Sequence, residues 1–330
     1  MTSPKPLVEF AGTGRFLPDR VVTNEDMAQI VETNDEWIRT RTGIRERRIA
    51  DEQTTVAAMG AEAGRRAMER AGIGPEDVGI LIVSTATPDR WLPSTACDVQ
   101  ALLECSNALA FDVSAACSGW LYALTMAEGY LAMGRTSYAL VIAAEMMTSI
   151  VDWTDRTTCV LFGDGAGAAV LRRAEGAAGI VSSFHRSDGH LAEMLYRPGG
   201  GAAIPMDADV LARGDHLVRM SGKEVFKSAV RSMAEASARA LEGAGMTGAD
   251  VDLLIPHQAN IRIIESTARY AGIPMEKVYV NVDRYGNMSS ASIPVALDEA
   301  LEEGRIQPGM RVLTATFGAG LTWGAMVWQF

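Results

Sequence analysis

Apolar positions along this chain follow two rhythms, one of helical spacing and one of short unbroken runs. Trp120 to Met133 carries Leu121, Leu124, Met126 and Leu131 at helical spacing, which predicts a long buried helix. Tyr138–Ala143, Thr158–Phe162, Val251–Ile255 and Met310–Ala315 are apolar runs of strand length, and Ala169-Val-Leu171 reads as a further strand. Between Lys223 and Met233, Phe226, Val230 and Met233 give a predicted helix its apolar side. On the same stretch Lys223, Lys227 and Arg231 recur every four residues and form a basic stripe.

The pattern repeats. Ala67–Ile82 and Ala240–Ile255 agree at eight of sixteen positions at a constant offset of 173. In both, a helix ends at Ala-Gly, where glycine serves as a C-cap, a turn with Asp-Val follows, and then an apolar strand. Leu131–Arg135 and Leu301–Arg305 echo each other at an offset of 170, each before a strand. Two echoes in one order argue for a duplicated α/β chain, with halves 1–175 and 176–330. No proline- or serine-rich linker separates them, so they are expected to form one rigid body.

In α/β sheets, ligands gather at the carboxyl ends of strands, beside helix starts. Phe111–Gly119 begins as a strand and ends in small residues, which sets Cys117 at the start of the predicted helix. There the helix dipole favours thiolate over thiol, and Ala115, Ala116, Ser118 and Gly119 leave room for a carbonyl to approach. The position suits a small buried filler equally well. Cys97, Cys105 and Cys159 read as core residues. Of four histidines, His185, His190 and His216 lie in polar stretches and read as surface or loop residues, whereas His257 directly follows an apolar strand. Asn287 sits in a Gly- and Ser-rich turn before another helix. Cys117, His257 and Asn287 thus fall at corresponding strand-to-helix junctions of the two copies.

Asp112–Gly119 (DVSAACSG), Pro256–Asn260 (PHQAN), Gly286–Ser292 (GNMSSAS) and Phe317–Gly324 (FGAGLTWG) together resemble β-ketoacyl-acyl carrier protein synthase III, the initiating condensing enzyme of bacterial fatty acid synthesis in the thiolase superfamily. The likeness runs from near Gly12 to the C-terminus. It implies a thiolase-like α/β fold, two pseudo-symmetric halves forming a five-layered αβαβα core. It also implies a catalytic Cys117, His257 and Asn287, and an oxyanion hole from the backbone N–H groups of Cys117 and Ala319.

The same resemblance implies an acyl-CoA starter, malonyl-acyl carrier protein as second substrate, no metal or redox cofactor, and a homodimer. Thr33, Trp37, Arg41 and Arg156 would hold CoA, with Trp37 and Arg156 sandwiching the adenine. Leu92, Phe162 and Phe317 would line the acyl pocket, Leu92 that of the neighbouring subunit. Many relatives carry phenylalanine where Leu92 stands, and the smaller side chain suggests starters longer than acetyl. Arg39, Arg41, Arg45, Arg47 and Arg48 crowd one short stretch, which by itself reads as a solvated face. Lys223, Lys227 and Arg231, extended by Arg262, form the expected landing site for an acidic carrier protein.

Composition then narrows the classes. The 330 residues are 48% hydrophobic and 22% charged, and a chain this long buries enough surface to need no disulfide or metal for its core. Thirty Lys and Arg stand against 41 Asp and Glu, a net charge of −11, which argues against sequence-independent nucleic-acid binding. No apolar run approaches a membrane span. Met1–Phe10 lacks a charged segment followed by an apolar one, so no signal peptide is expected. Four cysteines without CxxC spacing fit a reduced, cytoplasmic protein. Gly163–Ala168 fits a loose G-x-G-x-x-A pattern, but a strand is expected after it where a dinucleotide site needs a helix, so it reads as a tight turn. A papain-like hydrolase lacks its local signature here, and intact Cys117, His257 and Asn287 count against a non-catalytic scaffold. A specialised condensing enzyme of secondary metabolism is the runner-up.

Overall fold

The structure, a computed structural model, describes residues 6–330, so Met1–Lys5 of the N-terminal segment lie outside the described residues. The repeated spelling folds into repeated structure. Helices Val56–Ala71 and Gly222–Ala244 each stop at a glycine with φ of +67°, Gly72 and Gly245, a left-handed position that costs other residues free energy. Short turns, Pro75–Asp77 and Gly248–Asp250, then feed strands Val78–Ser84 and Leu253–Pro256.

Two sheets carry the fold. In the first, the strands lie in the order Val8–Phe16, Asp164–Arg173, Tyr138–Met146, Val78–Ser84, Leu109–Val113. In the second, the order is Gly179–Ser187, Thr322–Gln329, Arg311–Gly318, Leu253–Pro256, and a parallel bridge from Leu254 to Val278 stands where a fifth strand would be. Both sheets run antiparallel, antiparallel, parallel, parallel across these neighbours. The chain passes from one sheet to the other between Arg173 and Gly179.

Helices Gly119–Ala132 and Ser292–Glu302 lie between the sheets, while Val56–Ala71 covers the outer face of the first and Gly222–Ala244 that of the second. The result is the five-layered αβαβα core. Burial follows from the layering: every residue from Ser292 to Ala300 is buried, because a middle-layer helix has a sheet on each side. Asp298 on that helix is fully buried and accepts from Thr13 Oγ1 at 2.7 Å, Arg15 at 2.5 Å and Arg70, tying the halves together. Removing a partner from a buried ionic cluster of this kind is strongly destabilising.

Several expectations need correction. Thr158–Phe162 is not a strand but a series of turns, ending in a single bridge between Phe162 and Asn287. Gly163–Ala168 is not a tight turn; the strand Asp164–Arg173 starts inside it. Its glycines serve close packing, since a Cβ on Gly167 would stand 2.8 Å from Pro294 Cβ and from Val295 N of the central helix. Met126 is 48% exposed, on the solvent side of a helix whose other side is buried, and Cys97 is exposed while Cys105 and Cys159 are buried. His185 lies in a strand, half-buried, with its ring edge-on to Tyr122 and Nε2 3.0 Å from Thr125 Oγ1. Arg47 leaves the solvated face altogether: it is buried and donates to the carbonyls of Val22 and Val160 and to Asn24 Oδ1.

Candidate active site

The strand Leu109–Val113 leads into a single 3-10 turn, Ala116–Ser118, which runs straight into the helix Gly119–Ala132. Small residues make this possible. A Cβ on Gly119 would stand 2.0 Å from Ser84 Oγ and 3.2 Å from Ser84 Cβ, so any larger residue would have to displace the Ser84 hydroxyl where the helix starts against the neighbouring strand. Ala116, just before the cysteine, has φ of +44°, a strained left-handed conformation fixed by its surroundings. Thr316 Oγ1 of the other half donates to the Cys117 carbonyl at 2.8 Å, and Ser118 Oγ donates to the Thr322 carbonyl at 3.1 Å. The cysteine is thus held by its own half on one side and by the FGAG segment on the other.

His257 follows the strand Leu253–Pro256, and its N–H donates to the Ala315 carbonyl at 2.8 Å. Gln258 fixes what comes next. Its amide donates to the carbonyls of Pro256 and Tyr279 and accepts from the N–H groups of Asn281 and Val282, which ties the histidine's strand end to the segment leading toward Asn287. Asn287 is clamped by its backbone, donating to Leu161 O at 2.8 Å while its carbonyl accepts from Gly163 N at 3.1 Å. Its side-chain Oδ1 accepts from Ser289 N at 2.8 Å, which leaves the Nδ2 hydrogens for another acceptor.

Cys117, His257, Asn287, Ala319, Phe162 and Phe317 all line one cavity of about 240 Å³. Its remaining wall is largely apolar, with Met147, Leu195, Val225, Phe226 and Met233 among the side chains. Burial sets its electrostatics. Desolvation pushes the Cys117 thiol up to about 12, with the nearby Glu145 carboxylate adding to the rise, and a hydrogen bond to Ser289 opposes it. In the resting protein, burial therefore outweighs the helix start that was expected to favour the thiolate. Burial also pushes His257 down to about 4, so its imidazole is neutral at physiological pH and has a proton to donate from one nitrogen.

Trp37, on the helix Asp35–Thr42, has the guanidinium carbons of Arg41 and Arg156 at 4.6 and 5.1 Å from its ring centroid. Thr33 stands just before that helix with a buried hydroxyl oxygen that has no partner among the described residues. Lys223, Lys227 and Arg231 are exposed along Gly222–Ala244, and Arg262 lies 5.3 Å over the ring of Phe226, which itself lines the cavity. Leu92 is 86% exposed and is not part of this chain's own cavity. Among the described residues, no group of three or more His, Cys, Asp or Glu is gathered as a metal would require.

Two residues beside the cysteine escaped the sequence reading. Ser289 Oγ lies 3.5 Å from Cys117 Sγ, and Glu145 is fully buried behind it. The available signals were the serine pair in GNMSSAS and one carboxylate in the apolar run Tyr138–Met146.

Comparisons with known proteins agree over nearly the whole chain. The family described as 3-Oxoacyl-[acyl-carrier-protein (ACP)] synthase III matches residues 111–189, and its C-terminal counterpart matches residues 241–330. A beta-ketoacyl-[acyl-carrier-protein] synthase III from Symbiobacterium thermophilum is 51% identical over 97% of both chains. The crystal structure of 3-oxoacyl-[acyl-carrier-protein] synthase III from Aquifex aeolicus superposes with a TM-score of 0.91 at 46% identity, covering 98% of this chain and all of that one. The priming beta-ketosynthase from the R1128 polyketide biosynthetic pathway superposes at 0.90 with 35% identity, covering 99% of this chain and 97% of its own. This chain belongs to the 3-oxoacyl-[acyl-carrier-protein] synthase III family.

Proposed function

We propose that this enzyme is an acyltransferase that joins an acyl-CoA starter to malonyl-acyl carrier protein by decarboxylative condensation, the initiating step of fatty acid synthesis. The observation that carries it is the single apolar cavity into which Cys117, His257, Asn287 and Ala319 all open. Cys117 sulfur attacks the thioester carbonyl; a carbon–sulfur bond forms, the bond to CoA breaks, and an acyl-cysteine remains. The N–H groups of Cys117 and Ala319 meet the oxyanion of that tetrahedral step.

Malonyl-acyl carrier protein then enters. Its carbon–carboxylate bond breaks, CO₂ leaves, and the electron pair moves toward the thioester oxygen as an enolate. A neutral His257 N–H and Asn287 Nδ2 meet that charge, and each such donor contributes about 3–4 kcal/mol to a transition state of this kind. The neutrality of His257 matters here, since the ring is a donor with no full charge to desolvate. The carbanion attacks the acyl-cysteine carbonyl, a carbon–carbon bond forms, the bond from that carbonyl to Cys117 sulfur breaks, and β-ketoacyl-acyl carrier protein departs as the cysteine is regenerated. The scheme requires no metal or redox cofactor.

CoA is assigned to Thr33, Trp37, Arg41 and Arg156, and the carrier protein to Lys223, Lys227, Arg231 and Arg262. The two halves, 1–175 and 176–330, supply the cysteine and the donor pair respectively. A homodimer is supported by the edge strand Leu109–Val113, whose Leu109 is 52% exposed, and by the exposure of Trp91 and Leu92 at 68% and 86%. Such an unpaired apolar edge invites a second copy. Among the described residues no helix is long and apolar enough to cross a membrane, and a cytoplasmic setting fits the substrates. The likeness to a polyketide priming enzyme keeps specialised condensation as a second reading. The test is direct: purified enzyme with acyl-CoA and malonyl-acyl carrier protein should release CO₂ and free CoA in equal amounts with β-ketoacyl-carrier protein. Release of CoA without carbon–carbon bond formation would refute the condensation.

A further inference from the structure

Arg47, on the short strand Glu46–Arg48, is buried, and its hydrogen bonds go to two carbonyls and an amide oxygen, none to a carboxylate among the described residues. A guanidinium in such a place is costly, because water is gone and no opposite charge replaces it. Burial pushes it down to about 10, so it still carries its charge at neutral pH. Its Nε finds no partner among the described residues. The bonds it does make reach two segments far apart in the chain. Nη1 donates to Val22 O at 3.2 Å and to Asn24 Oδ1 at 3.0 Å, while Nη2 donates to Val160 O at 2.8 Å.

The Val160 contact leads to Asn287. The stretch 160–163 grips the Asn287 backbone from both sides: Asn287 N donates to Leu161 O at 2.8 Å, and Gly163 N donates to Asn287 O at 3.1 Å. The stem of Arg47 fills the same corner. A Cβ on Gly163 would stand 3.2 Å from Arg47 Cβ. One on Gly286, which has φ of +66°, would stand 3.4 Å from Arg47 Cβ and 2.9 Å from Leu161 O. Two residues upstream, Arg45 N donates to Asp283 O at 2.9 Å, in the helix Val282–Tyr285 that leads to Gly286. Ser289 N then donates to Asn287 Oδ1 at 2.8 Å, which leaves Nδ2 free once the backbone is set.

We propose that Arg47 is a positioning residue for the condensation step, fixing the backbone that aims the Asn287 amide into the cavity. This rests on Asn287 being a donor to the enolate. A charged donor holds the Val160 carbonyl more strongly than a neutral one, and one planar fork reaches that carbonyl and Asn24 together, which a lysine ammonium does not match. A donor shifted away from the developing charge loses most of its effect on the rate. Cys117 depends on other contacts, Thr316 Oγ1 on its carbonyl and Ser118 Oγ on the Thr322 carbonyl. Asn24 also keeps its own bonds to Asp35 Oδ1 and Ile44 O, which hold the helix of Trp37 and Arg41. Loss of Arg47 should therefore separate the two half-reactions.

Single-turnover rates at saturating substrate test this: acylation of Cys117 by acyl-CoA, and CO₂ release when malonyl-acyl carrier protein meets the preformed acyl-enzyme. Arg47→Met should lower CO₂ release about tenfold or more and change acylation by less than about threefold. Arg47→Lys should fall between that variant and wild type. Combined with Asn287→Ala, Arg47→Met should slow CO₂ release by no more than about threefold further, since a misplaced donor and a missing donor are one loss. Unchanged CO₂ release in Arg47→Met, equal falls in both steps, or effects of the two substitutions that multiply would each overturn the proposal. Failure of both Arg47 variants to fold makes Arg47 a residue of stability alone and overturns it too. The Asn287→Ala control keeps the two readings apart: CO₂ release at the wild-type rate in that variant removes the donor role of Asn287 itself, whatever Arg47 does.

Discussion

Gly318 lies against the turn that carries Cys117, so closely that a Cβ there would stand 2.8 Å from Cys117 N, 3.1 Å from Ser118 N and 3.2 Å from Cys117 Cβ. The two residues come from opposite halves of the chain. Their approach brings the backbone of the FGAG segment to the cysteine, where an oxyanion would form. Backbone cannot yield as a flexible side chain would, so Gly318→Ala should push the segments apart. Acylation by acyl-CoA should fall by about a hundredfold or more, with a loss of about 1–3 kcal/mol in stability. Stopped-flow acylation and urea unfolding check the pair; wild-type acylation in the variant would contradict the assigned oxyanion site.

The two half-reactions separate by residue. Cys117→Ala should accept no acyl group. His257→Ala and Asn287→Ala should still acylate on Cys117, while decarboxylation of malonyl-acyl carrier protein falls about a hundred- to a thousandfold for each lost donor. Radiolabelled CO₂ release and acyl-enzyme mass read the two steps independently. If His257→Ala abolishes acylation as completely as Cys117→Ala, this division of labour is wrong.

Lys227 and Arg262 stand on neighbouring helices on an otherwise acidic protein. Charge reversal at both should raise KM for malonyl-acyl carrier protein about tenfold or more at low salt, with little change in KM for acyl-CoA. The difference should shrink as salt is added. Equal effects on both substrates would place the carrier protein elsewhere.

His185 and His257 are each held near 4, below an unfolded value of 6.5, by burial. The folded state therefore binds fewer protons than the unfolded chain between those values, and stability must fall as pH drops from 6.5 toward 4. Each contributes up to about 1.4 kcal/mol per pH unit in that window. His185→Gln should flatten the dependence of the urea midpoint on pH; parallel curves for variant and wild type would contradict the assignment.

Leu92 does not line this chain's own cavity, and in a dimer it would reach the partner's pocket. Leu92→Phe should then narrow the range of accepted starters toward acetyl, read as relative kcat/KM across acyl-CoA chain lengths. An unchanged profile would remove Leu92 from the specificity determinants.

The duplication was legible because turn chemistry repeats: Ala-Gly helix ends and the Asp-Val turn are local features, and they recur with the same strand order. Cys117 and His257 stood out as candidates because they follow strand ends, where such sheets place ligands, whereas Asn287 follows the short helix Val282–Tyr285 and was pointed to only by the motif resemblance. The failures share a cause. Thr158–Phe162 is apolar because Leu161 and Phe162 line the cavity, and Gly163–Ala168 is glycine-rich because Tyr285, Met288 and the helix Ser292–Glu302 crowd Gly163, Gly165 and Gly167 in turn; neither tertiary fact leaves a local trace. Arg47 was hidden in a run of arginines, and its burial depends on carbonyls from distant segments. Glu145 was visible as one charge in an apolar strand, but its neighbours Ser289 and Ser290 lie 144 and 145 positions further on.

The central claim is that Cys117 carries the acyl group in a cavity shared with two neutral donors. Incubation with an acyl-CoA, rapid acid quench and peptide mass spectrometry tests it. The Cys117 peptide should gain the acyl mass, and the gain should vanish on adding malonyl-acyl carrier protein as β-ketoacyl product appears. An acyl group found on another residue, or none on an enzyme that still makes product, would contradict the account.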